Sequence, residues 1–387
     1  MVREIMDIAF FDAMEMDYNA DTPLTQPLCG SQSALCYLAV ELARLGHRIS
    51  LVNRTATPGT YSGVRSFGFT EEGMTRLQAS DVVVVQSGAT GQLLRDELHV
   101  TCPLVLWAQH APDQPAIQDL QNPQERDTWS GFALPSQWAL DRYTQRFGIG
   151  PERARIMHNA IAPAFALQET VSPWFENTAA PVLAYTSTPF CGLDVLLDAF
   201  PAIRSAIPEV RLRVYSGMSL YGMADANYRV LYERCGQTPG VEYIGLVPQG
   251  QLAREMAGFA ALAYPCIFPE AFCIAAAEAM SAGALLLTTK LGALPEIFDE
   301  FAVMIERGAD RQRLVEAYSA HVIAALDAAR RDPVGAAARA RLISLKPSTP
   351  GQSSRRNGRR GWTASLARLQ GKARLLAWIT PAHGHTG

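Results

Sequence analysis

The chain has 387 residues, of which 48% are hydrophobic and 18% are charged, and its net charge at neutral pH is −3. Because a single hydrophobic core stops growing at roughly 250 to 300 residues, this length predicts two domains with a cleft between them. No uninterrupted apolar run approaches the roughly 20 residues that span a bilayer, which excludes a membrane-spanning class. The first segment, MVREIMDIAFFDAMEMDYN, has acidic residues and no small-residue cleavage site, and this predicts a cytoplasmic protein without a signal peptide.

The cysteines favour reduced thiols over disulfides or structural zinc. There are seven of them, an odd number, and none forms a CxxC pair. We therefore expect no metal site.

Short apolar runs alternate with helical patterns along the chain. In the first half the runs are IAFF, HRISLVN, SDVVVVQSG, PLVLWAQH and RARIMHNAI, and in the second half they are PVLAYTS, VRLRVYS, GVEYIGL, ALAYPC, ALLLTTK and FAVMI. Strands separated by helices of roughly 10 to 15 residues form βαβ units, whose parallel sheets are covered on both faces. The sequence predicts an α/β fold with doubly wound, Rossmann-like domains.

Changes in composition predict the domain boundaries. The segment IAPAFALQETVSPWFENTAAP contains three prolines and no clean period, and a new strand follows it, which is typical of a linker. We predict a first domain at residues 1–165, a linker at 166–180 and a second domain at 181–332. Residues 333–387 contain ten Lys or Arg and no acidic residue, and they predict a basic tail that is disordered or aberrant.

The start of the first long helix is a candidate anion site. In PLCGSQSALCYLAVELARLGHRISLVN, Gly30 and Ser31 stand at the mouth of an amphipathic helix. Free N–H groups and the helix dipole at such an end can hold a phosphate or an acceptor group. The alternative is an ordinary helix start with a serine cap. The segment lacks both GxGxxG and GxxxxGK[ST], which argues against a dinucleotide dehydrogenase or a nucleoside triphosphatase.

His110 is a second candidate, because it follows the strand in PLVLWAQHAPDQP. Ligands of parallel sheets bind at the carboxyl ends of the strands, and two facing domains place those ends on opposite walls of one cleft. A histidine there can donate or accept a hydrogen bond near neutral pH. A purely structural hydrogen-bonding role is the alternative.

Two carboxylates mark the segment FPEAFCIAAAEAMSAGALLLTTKLGALPE. Glu270 and Glu278 are eight positions apart, about 2.2 helical turns, so they reach different parts of one extended ligand. A carboxylate suits neighbouring sugar hydroxyls, since its two oxygens accept two hydrogen bonds. Amides near Phe272 and Cys273, at the helix start, are placed to receive a diphosphate. The pattern describes a nucleotide sugar. A solvated helix face is the alternative for Glu278, but the small residues around it let the helix lie close to its sheet and argue against that alternative.

This segment resembles the E-x7-E signature of the retaining glycosyltransferases of family 4, known as glycosyl transferases group 1. Three earlier segments are similar to other parts of that family and follow in the same order: GSQSALCYLAVELARLGHRISLV, GFALPSQWALDRYTQRFGIGPERARIMHNAI and TSTPFCGLDVLLDAF. The resemblance extends over residues 25–330. It implies the GT-B fold, in which two Rossmann-like domains face each other across a cleft.

The resemblance also implies a role for each candidate residue. Glu278 would hold the ribose hydroxyls of the donor nucleotide. Glu270 would contact hydroxyls of the transferred sugar near the reacting carbon, and His110 would contact the donor sugar. These two are the predicted catalytic residues. Gly30 would belong to the loop near the diphosphate and the acceptor.

The phosphates would face the backbone amides of Phe272, Cys273 and Ile274. The family also carries an Arg and a Lys in the loop that opens the donor domain, whereas AYTSTPFCGLD has neither. Cys191 stands where a basic residue is expected, so we predict that it lies beside the diphosphate and that a positive charge there would improve donor binding. The alternative is that Cys191 fills a small buried gap.

The tail departs from the family as well. The fold normally ends with a helix that crosses back to the first domain, and LKPSTPGQSSRRNGRRGW does not resemble one. The change of composition suggests a shift of the coding frame near Ser344. The alternative is a basic arm attracted to anionic lipid or nucleic acid, and of these we predict peripheral contact with the inner face of a membrane and no nucleic-acid partner.

Together these patterns predict a metal-independent, retaining glycosyltransferase of the hexosyltransferase type. Its donor would be a nucleotide diphosphate sugar, with no further cofactor, and its acceptor a sugar, a lipid-linked molecule or a protein. The expected role is in surface polysaccharide or glycoconjugate biosynthesis. Two alternatives remain: a catalytically silent GT-B protein that binds sugar nucleotides, and a nucleotide-sugar epimerase.

Overall fold

The computed structural model describes residues 5–86, 88–166, 174–175, 179–221 and 225–332. In these residues the chain forms an eight-stranded sheet followed by a six-stranded sheet. The predicted α/β fold with two parallel-sheet domains is confirmed. The predicted basic tail lies outside the described residues.

The first sheet has the strand order β3-β4-β2-β1-β5-β6-β7-β8, and every pair is parallel except β3 with β4. Its strands are β1 (Asp7–Asp12), β2 (Arg48–Val52), β3 (Gly59–Tyr61), β4 (Val64–Phe67), β5 (Val82–Gln86), β6 (Leu104–Trp107), β7 (Gly131–Leu134) and β8 (Ala154–Ile156). Its helices are α1 (Thr22–Thr25), α2 (Gly30–Arg44), α3 (Glu71–Gln78), α4 (Pro123–Thr128) and α5 (Gln137–Phe147). The short helix α6 (Pro163–Ala166) follows β8 in sequence but packs on the second domain.

Helices bury both faces of this sheet, as β1 shows. Ile8 and Phe10 belong to the hydrophobic cluster under α2, whereas Ala9 and Phe11 belong to the cluster on the opposite face. Side chains alternate between the faces of a strand, so a run that is apolar throughout is buried on both sides. The continuous apolar run IAFF therefore indicates a central strand of a doubly wound sheet.

The second sheet is parallel in all its pairs and has the order β11-β10-β9-β12-β13-β14. Its strands are β9 (Val182–Tyr185), β10 (Arg211–Val214), β11 (Val241–Tyr243), β12 (Ala261–Tyr264), β13 (Leu285–Thr289) and β14 (Val303–Ile305). Its helices are α7 (Leu193–Ala206), α8 (Arg229–Gln237), α9 (Gln249–Met256), α10 (Ile274–Ser281), α11 (Leu294–Phe298) and α12 (Arg311–Arg331).

Three strands of the first sheet were not expected from the sequence. β3 and β4 form an antiparallel hairpin at the sheet edge, where GTYSGVRSF mixes polar and apolar residues and gives no clear apolar run. β7 has only four residues, all buried, and is too short to show a period. Each of the other eleven strands coincides with one of the apolar runs of the sequence.

The packing of the second domain begins before the predicted linker. Ala162 and Phe165, beside and within α6, are buried in the hydrophobic core of the second domain. The boundaries at 165 and 180 stay predictions, because residues 167–173 and 176–178 lie outside the described residues. Among the described helices, none combines the length and the apolarity that crossing a membrane requires.

Candidate active site

Helix α10 starts from an uncommon backbone conformation. Cys273, just before the helix, has φ +73°, in the left-handed region that residues with side chains rarely adopt. Ala276 and Ala279 are buried against the sheet, and their small side chains allow a close approach. The first turn of a helix presents amide groups without partners inside the helix, so this end can receive an anion.

Two helices from different domains meet at their first residues. Gly30 opens α2 and Ile274 opens α10, and a β-carbon added at Gly30 would lie 3.3 Å from Cδ1 of Ile274. The N-terminal ends of both helices therefore face the same space. The structure thus brings together two of the residues that the sequence predicted for the diphosphate.

Glu278 lies four residues after Ile274, which places both side chains on one face of α10. Its side chain is buried, and Nε2 of Gln249 donates a hydrogen bond of 3.3 Å to its Oε1. Burial raises the pKa of Glu278 to about 8. The alternative of a solvated helix face is therefore wrong, and the small residues of α10 explain why this carboxyl is enclosed.

Glu270 is held by groups at the carboxyl ends of two strands. The hydroxyl of Tyr264, the last residue of β12, donates a hydrogen bond to its carboxylate. Burial raises the pKa of Glu270, and the Tyr264 hydrogen bond acts in the opposite direction. Behind it, Ala293 N donates to the Glu270 carbonyl at 2.8 Å. Gly292, with φ +60°, packs so closely there that a β-carbon would collide with that carbonyl oxygen.

Phe272 and Cys273 lie between these two glutamates. The Phe272 ring is buried, and its centroid is 5.8 Å from that of His158, which follows the last strand of the first domain. Burial raises the pKa of the Cys273 thiol, and the nearby charge of Glu270 raises it further. The predicted phosphate-facing residues therefore lie where the two domains meet.

His110 follows β6 by three residues, at the carboxyl end of the first sheet. The hydroxyl of Tyr143 donates 2.9 Å to its carbonyl oxygen and fixes the backbone. Burial lowers the pKa of the imidazole, which is therefore neutral near pH 7, and its Nδ1 is buried without a hydrogen-bond partner in the described part of the chain. No hydrogen bond among the described residues joins His110 to Glu270 or to Glu278.

Cys191 lies in the loop that opens the second domain, but its side chain points into the core. It is 4% exposed, and its Sγ lies 3.1 Å from Oγ1 of Thr188. The following Gly192 has φ +118° and packs against the carbonyl of Pro265, which leaves no room for a side chain. The structure therefore favours the buried-gap alternative over a side chain that faces the diphosphate, because a long cation here would have to be buried.

Sequence reasoning missed the residues that hold the two glutamates. Tyr264 could have been predicted, since it carries a hydroxyl group and ends the strand in ALAYPC, at the edge where ligands bind. Gln249 and Tyr37 had none, because the hydroxyl of Tyr37 reaches Oε1 of Gln249 (2.6 Å) across 212 positions of sequence.

Comparison with known proteins agrees with this architecture. Residues 181–325 match the family model described as glycosyl transferases group 1. A curated relative from Arabidopsis thaliana, a subunit of phosphatidylinositol N-acetylglucosaminyltransferase, is 27% identical over 169 residues. That alignment covers 43% of this chain and 36% of the relative, so the chain matches about a third of the relative's length.

Solved structures with this arrangement of domains match nearly the whole chain. HepE of Anabaena, solved with UDP and glucose, has a TM-score of 0.64 at 16% identity and covers 96% of this chain and 99% of its own. A glycosyltransferase of Rickettsia africae has a TM-score of 0.66 at 11% identity, over 96% and 98% of the two chains. WaaG, a glycosyltransferase involved in lipopolysaccharide biosynthesis, has a TM-score of 0.58 at 16% identity, over 84% and 94%. The chain therefore has the GT-B fold, and its residues 181–325 are similar to the glycosyl transferases group 1 family.

Proposed function

We propose that this protein is a retaining, metal-independent glycosyltransferase of family 4 that transfers a sugar from a nucleotide diphosphate sugar to an acceptor. The observation that carries the proposal is the meeting of two helix starts, at Gly30 and Ile274, between Glu270 and Glu278. A nucleotide sugar has the matching order of groups, with a diphosphate between two sets of sugar hydroxyls. Helix starts hold anions, and carboxylates accept hydrogen bonds from hydroxyls.

Each group then has a distinct task. The amides at the start of α10 and α2 bind the diphosphate and stabilise the charge that grows on it as the glycosidic bond breaks. Glu278 accepts hydrogen bonds from the ribose. Glu270 accepts them from the transferred sugar, and the neutral His110 can donate to or accept from a hydroxyl of that sugar.

The comparisons suggest which substrates to test first. HepE was solved with UDP-glucose, so UDP-sugars are the first donors. The name of the Arabidopsis relative contains phosphatidylinositol, and WaaG belongs to lipopolysaccharide biosynthesis, so lipid-linked and surface-polysaccharide acceptors come first. We place the reaction in the cytoplasm, with an acceptor presented at the inner face of a membrane.

The test is a thermal-shift and calorimetry screen against UDP, GDP, ADP and their sugars. Wild type should bind one nucleotide. At pH 9, where Glu278 is ionised, Glu278→Ala should weaken binding by roughly 1.5 to 3 kcal/mol, or about 10- to 150-fold, because it removes a charged acceptor. Glu316→Ala, which removes an exposed carboxylate on α12, is the matched control and should bind like wild type. Equal affinity in Glu278→Ala and wild type would contradict the assignment.

Turnover separates the enzyme from a silent binder. The absence of Arg and Lys from AYTSTPFCGLD and the burial of Cys191 favour the silent binder as the second candidate. NMR of the sugar released from an α-linked donor should show the α-anomer first if the enzyme retains configuration. Tight nucleotide binding with no release and no transfer would instead identify a sugar-nucleotide-binding protein.

A further inference from the structure

A chain of hydrogen bonds joins the two domains at Glu278. Tyr37, on α2 of the first domain, donates its hydroxyl to Oε1 of Gln249 at 2.6 Å. Gln249, the first residue of α9, donates its Nε2 to Oε1 of Glu278 at 3.3 Å. Gln249 and Glu278 are both buried, and Tyr37 is partly buried against the core of the second domain.

Helix periodicity explains why these residues meet. Tyr37 lies seven residues after Gly30, and Glu278 lies four residues after Ile274, so each shares a helix face with the residue at its helix start. Since a β-carbon added at Gly30 would lie 3.3 Å from Ile274, we infer that the same faces of α2 and α10 also face each other further along the helices. Gln249 fills the space between them and contacts both sides.

The tyrosine fixes which end of the amide faces the carboxylate. An amide side chain has an acceptor oxygen on one side and a donor NH2 on the other. Because the Tyr37 hydroxyl occupies the oxygen, the NH2 is left to face Glu278. A carboxyl in such a buried place is costly to ionise, and the donated hydrogen bond favours its charged form.

The arrangement depends on the closed position of the domains. Tyr37 belongs to the first domain, whereas Gln249 and Glu278 belong to the second. Helix α1 of the first domain also packs against α9, which carries Gln249. Opening the cleft would separate Tyr37 from Gln249 and leave the amide free to rotate.

We propose that Tyr37 and Gln249 are positioning residues that orient the Glu278 carboxyl group for the nucleoside only when the domains are closed. Domain closure and nucleoside binding are thereby coupled through one amide side chain. This inference rests on the proposed function, in which Glu278 binds the ribose.

A double-mutant cycle tests the coupling. Tyr37→Phe removes one hydroxyl, and Gln249→Met removes the amide while keeping the length of the side chain. Calorimetry with UDP, or with whichever of UDP, GDP and ADP binds wild type, should show a roughly 5- to 20-fold higher Kd for each variant, the scale of one hydrogen bond. The Kd of the double variant should not exceed the higher of the two single-variant Kd values, because both substitutions act through the same contact. In turnover assays the donor KM should rise by the same factor while kcat stays constant.

Tyr318→Phe is the matched control. The hydroxyl of Tyr318 is also buried in the second domain, but it donates to the carbonyl of Leu287 at 2.9 Å, and within the described part of the chain no hydrogen bond joins it to Glu278. Its loss should lower the unfolding temperature and leave the Kd unchanged. Wild-type affinity in Tyr37→Phe, or effects of the two substitutions that add, would overturn the inference while the proposed function stands. If wild type binds none of these nucleotides, the result contradicts both the inference and the proposed function.

Discussion

At the scale of single residues, Glu278 is an ionisable side chain that lies buried in the protein. Its side chain is 5% exposed, and its hydrogen bond from Gln249 is long at 3.3 Å. Burial disfavours the charged form of the carboxyl group, and the pKa of Glu278 therefore rises to about 8 despite this hydrogen bond. A residue that is costly to bury and is buried nonetheless points to a role other than stability.

This burial predicts how stability depends on pH. In the folded protein Glu278 holds its proton up to about pH 8, whereas in the unfolded chain it loses it near the ordinary pKa of 4.5. Raising the pH between these values therefore favours the unfolded state, by up to about 1.4 kcal/mol per pH unit. Glu278→Gln removes this cost, so its unfolding free energy should exceed that of wild type by a margin that grows from pH 5 to pH 8.

Denaturant unfolding at several pH values measures that margin. Glu316→Gln, on the exposed face of α12, controls for the loss of a carboxyl and should follow the wild-type curve. A constant difference between Glu278→Gln and wild type over this range would mean that Glu278 ionises normally in the folded protein.

At the scale of elements, the position of Glu270 depends on the loop between β13 and α11. Gly292 has φ +60°, and a β-carbon there would lie 2.6 Å from the amide nitrogen of Glu270 and even closer to its carbonyl oxygen. The neighbouring Ala293 donates a hydrogen bond of 2.8 Å to that oxygen. This loop therefore acts as a support that sets where the segment before α10 lies.

Gly292→Ala should displace Glu270. The substitution combines a left-handed backbone with a collision against backbone atoms, so we expect a loss of roughly 2 to 4 kcal/mol in unfolding free energy. Donor turnover should fall at least tenfold in the fraction that remains folded, because Glu270 moves. Denaturant unfolding and donor hydrolysis measure the two effects.

Gly283 offers a control with the same left-handed backbone but without the collision. Its φ is +85°, and a β-carbon there would meet no atom of the described residues within 4 Å. Gly283→Ala should cost only about 1 kcal/mol, the strain of the left-handed conformation, and should leave turnover unchanged. Equal turnover in the two variants would show that Gly292 does not position Glu270.

The strands and helices also show which features of the fold could be predicted from the sequence. Apolar runs predicted eleven strands, because a strand buried on both faces leaves a continuous hydrophobic signature. The small residues of α10 predicted correctly that Glu278 is enclosed. The direction of the Cys191 side chain could not be predicted, since it depends on a turn in which Gly192 packs against Pro265. The contact of Tyr37 with Gln249 depends on how the two domains pack, and no local pattern reports that.

At the scale of the whole molecule, a carboxylate of one domain caps a helix of the other. Oε1 of Glu296, on α11, accepts from the amide of Gln137 at 2.8 Å, and its Oε2 accepts from the amide of Trp138 at 2.7 Å. These are the first two residues of α5, where Ser136 already caps the amide of Ala139 at 3.0 Å. The helix dipole and two charge-assisted hydrogen bonds thus hold α11 against the first domain.

Glu296→Ala should therefore loosen the closed arrangement of the domains. Removing a helix cap costs roughly 0.5 to 2 kcal/mol, and here the loss falls on the closed state alone, because α5 can bind water in an open one. Small-angle X-ray scattering should show a larger radius of gyration than for wild type without ligand. Nucleotide affinity should fall as well, since opening also separates Tyr37 from Gln249.

Glu300→Gln, an exposed carboxylate just after the same helix, is the matched control and should scatter like wild type. Saturating nucleotide should return Glu296→Ala to the wild-type radius, because a ligand that contacts both domains favours closure by its difference in affinity for the two states. An unchanged radius in Glu296→Ala without ligand would mean that other contacts suffice to hold the domains together. The cap would then stabilise α5 locally, and the reduced affinity expected from opening should be absent too.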